Sequence, residues 1–103
     1  MDRNFSVMIT KKTEKKLNKK FKPYKDQIID AMLELEVNPI LSDNNMQIEK
    51  LKGFAGEYYR FKVSLPDGSC RCVYELNREK KECEIVEFDF RENIDYRKLQ
   101  QDL

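Results

Sequence analysis

The sequence contains no histidine and only three glycines and three cysteines in 103 residues. Without histidine there is no Ser-His-Asp or Cys-His nucleophilic arrangement and no histidine-based RNA cleavage. The commonest metal ligand is missing too. Three glycines are too few for a phosphate-cradling loop. An odd cysteine count argues against a closed disulfide framework and suits a reducing cytoplasm. Strand alternation puts Cys70 and Cys72 on an apolar face and Cys83 on the opposite one, with no evident fourth ligand, so neither a metal nor a cofactor is expected. No segment approaches the ~20 apolar residues of a membrane span. The opening "MDRNFSVMITKKTEKK" has no long apolar core and no small-residue cleavage site, so no secretory signal is expected.

What is present is charge. Asp, Glu, Lys and Arg make up 38% of the chain, yet the net charge is only +1. The near-neutrality conceals an asymmetry. Residues 1–25 hold nine Lys/Arg and two Asp/Glu, a local net of +7, and the remainder carries −6. A generic nucleic-acid binder is more basic overall, but a protein that grips one defined site can concentrate cations locally. The length predicts a single domain over residues 1–103 with one modest core.

The periodicities predict an α+β order of strand, two helices, three strands and a short helix. "FSVMIT" (residues 5–10) is a short branched strand. In "KKTEKKLNKKF", Thr13, Leu17 and Phe21 share a helical face, and Pro23 ends the helix. In "YKDQIIDAMLELEVNP", Ile28, Met32 and Leu35 form an apolar stripe, Ile29 and Leu33 widen it, and Asn38-Pro39 closes it. The two helices read as an antiparallel hairpin packed on one face of an antiparallel sheet. Residues 41–47 read as a polar loop.

From Glu57 the period becomes two. Tyr59, Phe61, Val63 and Leu65 face one way; Arg60, Lys62 and Ser64 face the other. "LPDGS" is a turn in which Gly68 supplies the positive φ of a bulged hairpin. Cys70, Cys72, Tyr74 and Leu76 are the apolar side of the next strand, opposite Arg71, Val73 and Glu75. In "CEIVEFDFR", alternation groups Val86, Phe88 and Phe90 against Cys83, Ile85, Glu87, Asp89 and Arg91. Asn93 is the expected cap of the last helix.

On this register Arg60, Lys62, Arg71 and Arg91 come from three neighbouring strands, roughly 4.8 Å apart, onto one open face. Like charges gathered this way repel, and a phosphate relieves the repulsion; the arginine fork matches phosphate oxygens. A charged, solvated strand face is the plainer explanation for any one of these residues. Tyr96 either reaches the edge of that face or is an ordinary core aromatic in register with Leu99 and Leu103. Glu75, Glu87 and Asp89 also face outward, where pairing with the arginines would neutralise the face.

The ordered series "NP", a variable loop, "KLKG", "YYRFKV", "RCVYEL" and "FRENIDY" resembles the RelE/ParE superfamily of type II toxin–antitoxin toxins, along nearly the whole chain. The resemblance implies a toxin with a cognate antitoxin partner, in the cytoplasm. Its RelE branch cleaves messenger RNA on the ribosome. That branch uses two basic residues two apart on one strand, an arginine on the next, an arginine closing the last strand and a following tyrosine. Here those positions are Arg60 and Lys62, Arg71, Arg91 and Tyr96, which favours the mRNA interferase branch. The implied mechanism is attack of the ribose 2′-hydroxyl on the adjacent phosphate. Arg71 and Arg91 hold the phosphate, Lys62 is the candidate general base with its pKa lowered by neighbouring cations, Tyr96 is an acid or a stacking surface, and Arg60 orients the backbone. Lysines between positions 11 and 20 dock on ribosomal RNA or form a solvated helix face. Two alternatives stand beside this: a ParE-like toxin that inhibits DNA gyrase, and an inactive RelE-fold protein marked by Glu87 and Asp89 on the open face.

Overall fold

The computed structural model describes residues 5–40 and 47–102. The loop expected over residues 41–47 therefore lies, apart from Gln47, outside the described residues, as does Leu103. The chain begins with β1 (Ser6–Ile9), followed by α1 (Lys11–Asn18), α2 (Lys25–Leu33), β2 (Glu49–Lys50), β3 (Tyr58–Leu65), β4 (Gly68–Asn77), β5 (Glu82–Phe90) and α3 (Tyr96–Asp102). Short 3-10 turns at Lys22–Tyr24, Glu34–Glu36 and Arg91–Asn93 join them. The sheet order is β1-β5-β4-β3-β2. This is the α+β arrangement expected from the periodicities, with two additions. β1 pairs parallel to β5, making the sheet mixed, and the two-residue β2 pairs antiparallel with β3 at the far edge. Among the described residues no helix is long and apolar enough to cross a membrane.

The helical hairpin covers one face. Thr10 caps α1 by accepting a hydrogen bond from the Thr13 backbone N–H, and Thr13 and Leu17 are buried one turn apart. Helix α1 ends at Asn18, before Pro23 compels it to, yet Phe21 still reaches the core. Its ring meets Phe88 edge-on, with centroids 5.0 Å apart, a geometry worth about 0.5–1.5 kcal/mol beyond the burial itself. Ile28, Met32 and Leu35 are buried beneath the hairpin, whereas Leu33 is exposed and does not widen the stripe. Pro39 closes this half: its carbonyl accepts the hydroxyl of the buried Tyr74.

On β3 the alternation holds residue by residue. Tyr59, Phe61, Val63 and Leu65 are buried, and Lys62 and Ser64 are exposed. The β3–β4 register runs unbroken to Leu65 opposite Gly68, so Pro66 and Asp67 form a two-residue turn without the expected bulge.

The bulge lies instead between β4 and β5. Val73 faces Glu87 but Tyr74 faces Ile85, so Val86 is an extra residue on β5. One inserted residue reverses the parity of everything before it. Cys83 and Ile85, expected on the open face, are buried in the main core, and Val86, expected beside Phe88 and Phe90, points away from it. All three cysteines are therefore on the core side as free, buried thiols. Burial pushes Cys70 and Cys83 up to about 11.

Val86 joins Tyr58, Val73 and Leu99 in a second, smaller apolar cluster, with Leu51, Phe54, Ile94 and Tyr96 packed against it. Helix α3 thus lies over part of the face expected to be open. Its cap is Asp95 and not Asn93: the Asp95 carboxylate accepts the backbone N–H groups of Arg97 and Lys98, both at 3.1 Å. Asn93 reaches back to Asp89 instead, at 3.3 Å.

Candidate functional site

The face opposite the hairpin carries two groups of charge. The first is built around β3 and β4. Lys62 and Arg71 stand directly opposite each other in register, with Arg60 two residues before Lys62, opposite Val73. Arg91 follows β5 at the start of a 3-10 turn, and Tyr96 is the first residue of α3. Arg71 lies deep, only 6% exposed. Its Nη1 donates to the Ser69 hydroxyl at 2.8 Å and to the Cys70 carbonyl at 3.1 Å. Burial, then the cations Arg60 and Arg91, lower its pKa. A guanidinium begins so far above neutrality that it stays charged.

Tyr96 sits in the same field. Burial raises its pKa, while Arg60, Arg71 and Arg91 act in the opposite direction and Glu49 adds to the rise. Its position answers both alternatives at once: the ring packs on the second apolar cluster, and its hydroxyl feels the three arginines. Arg60, Arg71, Arg91 and Tyr96 therefore form one electrostatic cluster. Lys62, opposite Arg71, is exposed and without an ion pair among the described residues. Arg91 is likewise exposed and unpaired among the described residues.

Two members of this cluster carry no sequence signal. Glu49, on β2 opposite Arg60, accepts from Arg60 Nη2 at 2.5 Å. Arg60 Nη1 is buried with no hydrogen-bond partner among the described residues. Ser69 orients Arg71 from one position beyond the turn. A two-residue strand has no period to read, and a serine beside a turn glycine is ordinary.

The second group lies along β5 and α1. Lys16 Nζ donates to Glu87 at 2.6 Å and to Asp89 at 2.9 Å. Lys20 meets Asp89 at 2.6 Å, and Lys12 meets Glu87 at 3.3 Å. Residues four apart on a helix share a face, so three lysines make one row along two carboxylates. Glu87 and Asp89 are 8% and 5% exposed. Burial opposes ionisation of Asp89, but hydrogen bonds from Lys20, Lys16, the Phe90 N–H and Asn93 outweigh it and hold the carboxyl down at about 2. The expected pairing of Glu87 and Asp89 with the arginines is thus not what forms; the carboxylates are taken up by lysines. Of the lysines expected to meet RNA, Lys12, Lys16 and Lys20 are spent internally. Lys11, Lys15 and Lys19 are exposed and make no ion pair among the described residues.

Four solved structures share this architecture. A RelE–RelB complex from Pyrococcus horikoshii OT3 superposes with a TM-score of 0.67 at 23% identity, over 88% of this chain and 99% of that one. Free Escherichia coli toxin RelE, as a double arginine-to-alanine mutant, superposes with a TM-score of 0.68 at 17% identity, over 96% of each chain. The chain has the RelE fold. The intact E. coli RelBE toxin–antitoxin complex adds a third likeness, with a TM-score of 0.60 at 19% identity over 84% of this chain and 95% of the other. No protein-family model and no curated protein matches the sequence. Within this fold the arginine cluster lies on the sheet face opposite the helical hairpin, where Lys62 and Arg91 are exposed, Arg60 is half-buried and Arg71 is buried.

Proposed function

We propose that this protein is the toxin of a type II toxin–antitoxin system and acts as a ribosome-dependent endoribonuclease on messenger RNA. The observation that carries the reading is the placement of Arg60, Lys62 and a buried Arg71 on one face of paired strands, with Arg91 at the end of β5 and Tyr96 at the start of α3 in the same electrostatic field. Such a cluster is unfavourable alone and favourable around an anion. The likeness to RelE bound to RelB supports an antitoxin partner.

In this reading the ribose 2′-oxygen attacks the adjacent phosphorus in line and the bond to the 5′-oxygen breaks. The products are a cyclic 2′,3′-phosphate and a 5′-hydroxyl. Arg71 and Arg91 hold the phosphate and stabilise the charge that builds on its oxygens. Arg71 suits the task because Ser69 and the Cys70 carbonyl fix its guanidinium before substrate arrives. Lys62, opposite it, is the base that receives the 2′-hydroxyl proton. Tyr96, whose raised pKa keeps it protonated, donates to the leaving 5′-oxygen or stacks on a base. Arg60 orients the backbone, and the exposed lysines of α1 face ribosomal RNA. The route uses side chains alone and takes place in the cytoplasm.

The test is purified protein added to translating ribosomes. Message should be cut, and Arg71→Ala with Arg91→Ala should stop the cutting. Intact message with the unmutated protein removes the reading. DNA damage signalling with translation continuing, unaffected by Lys62→Ala, would replace it with the gyrase-directed one.

A further inference from the structure

Asp89 poses a problem that its neighbours solve. It is the cross-strand partner of Arg71 and lies two residues before Arg91. Opposite charges at paired positions of adjacent strands ordinarily meet. A carboxylate there would occupy the arginine fork that the proposed function needs for phosphate. Yet Arg71 donates to Ser69 and Cys70, and both oxygens of Asp89 turn the other way. Oδ1 accepts from Lys20 at 2.6 Å, the Phe90 N–H at 2.8 Å and Asn93 at 3.3 Å; Oδ2 accepts from Lys16 at 2.9 Å. Lys16 is shared with Glu87, whose other oxygen holds Lys12.

We propose that Lys16 and Lys20 are positioning residues of the arginine site: by holding the Asp89 carboxylate toward α1 they keep Arg71 and Arg91 free to take a phosphate. The inference rests on the reading of that pair as phosphate-binding, and gives the lysines of α1 two separate tasks. Those at 12, 16 and 20 hold the carboxylates of β5; those at 11, 15 and 19 stay on the outside. Lysine suits the first task because its ammonium donates to more than one oxygen, as Lys16 does across two carboxylates. The geometry also assigns a direction. Without the lysines a buried carboxylate is left short of counter-charge, and the nearest cation across the strand pair is Arg71.

The test compares Lys16→Met/Lys20→Met with the unmutated protein, and both with Asp89→Asn added. A single-stranded RNA oligonucleotide with 2′-O-methyl riboses, which cannot be cut by 2′-oxygen attack, is the binding probe. Loss of the lysines should weaken binding by about tenfold, as expected when a carboxylate competes for one charge-assisted site. Asp89→Asn should restore it, because an amide does not compete for guanidinium. Asp26→Asn, an equal charge change on the exposed side of α2, should not. A crystal structure of the double variant should show Asp89 in ion-pair reach of Arg71 or Arg91.

Should the double variant unfold, Lys20→Met alone leaves Asp89 with Lys16, Asn93 and the Phe90 N–H. It should show a smaller loss with the same rescue. An Asp89 carboxylate that stays in place, or rescue by Asp26→Asn as strong as by Asp89→Asn, overturns the proposal. An unmutated protein that neither binds the oligonucleotide nor cuts message would overturn the function reading instead, and the position of Asp89 in the variant crystal would still decide this one.

Discussion

The two halves of the charged face obey opposite rules. Along β5 each buried carboxylate meets lysine ammonium groups from α1, and the arrangement is satisfied within the molecule. Along β3 and β4 the guanidinium groups lie in one another's field: Arg60 and Arg91 act on Arg71, and Arg60, though one nitrogen meets Glu49, keeps a second, buried nitrogen with no hydrogen-bond partner among the described residues. The lysine row completes its charges within the molecule; the arginine cluster does so only where Arg60 meets Glu49, and Arg71 and Arg91 have no carboxylate partner among the described residues. The contrast teaches that charge on a sheet face is not informative by sign or number, only by whether the molecule completes it.

The sharpest way to break the comparison is to remove cations from each half in turn. On the arginine side, Arg71→Ala should lower message cleavage by about 10²–10³-fold, the range for losing one donor to a charged transition state. The thermal midpoint should fall less than for Lys16→Met, because relief of the repulsion from Arg60 and Arg91 offsets the two hydrogen bonds lost. Cleavage followed on translating ribosomes, with thermal unfolding as control, measures both. On the paired side, Lys16→Met should do the reverse to stability and cost about 1–3 kcal/mol, the penalty of leaving a buried group short of its partner. Denaturant unfolding reads it. If Arg71→Ala destabilised as much as Lys16→Met, the division into two kinds of cluster would fail.

Acid sharpens the same division. Asp89 is held at about 2, below its ordinary 3.8. A carboxyl whose folded pKa is depressed contributes stability that is complete above the unfolded value and is lost as pH falls through the folded one. Between about pH 4 and pH 2 the protein should therefore lose stability, and Asp89→Asn should flatten that part of the profile. The arginines themselves do not titrate in this window. A pH–stability profile by circular dichroism with the two proteins side by side decides it.

How much of this was legible in the amino-acid order depends on the reach of the interaction. The alternation through Tyr59, Phe61 and Val63, and the four-residue recurrence of Thr13, Leu17 and Phe21, were readable because burial repeats with the backbone period. The side of β3 and β4 carrying Arg60, Lys62 and Arg71 follows from the same rule. Parity at Cys83, Ile85 and Val86 was not readable, because a bulge is one residue with no composition of its own and shows only against its partner strand. The pairing of Lys16 with Glu87 and Asp89 spans 71 and 73 positions. It depends on where α1 lies against β5, which no local pattern encodes. β2 and Glu49 escaped for want of length. The cap moved from Asn93 to Asp95 because both residue types cap equally well, and tertiary contacts chose between them.

The smallest effect tests whether α3, which delivers Tyr96 to the arginine half, is held from outside that half. Gly53 has φ of +86°, and a Cβ built on it would lie 2.7 Å from Gln100 Nε2 on α3. That same nitrogen donates to the Lys52 carbonyl at 3.4 Å, so the β2–β3 connection, which also sends Leu51 and Phe54 into the cluster beside Leu99 and Tyr96, meets the helix closely at this glycine. Gly53→Ala should cost about 1 kcal/mol, since alanine at positive φ gains no compensating contact here. Gln100 is the flexible end of a long side chain and can give way, which keeps the effect small. The loss should be local: amide exchange should speed up in α3 while Phe61, Phe88 and the lysine row keep their protection. On the proposed mechanism, cleavage should fall less than with Arg71→Ala, because Tyr96 is loosened and Arg71 and Arg91 are not. Uniform loss of protection across the sheet would mean instead that α3 and the second apolar cluster unfold together with the main core, and that the arginine half has no separate support.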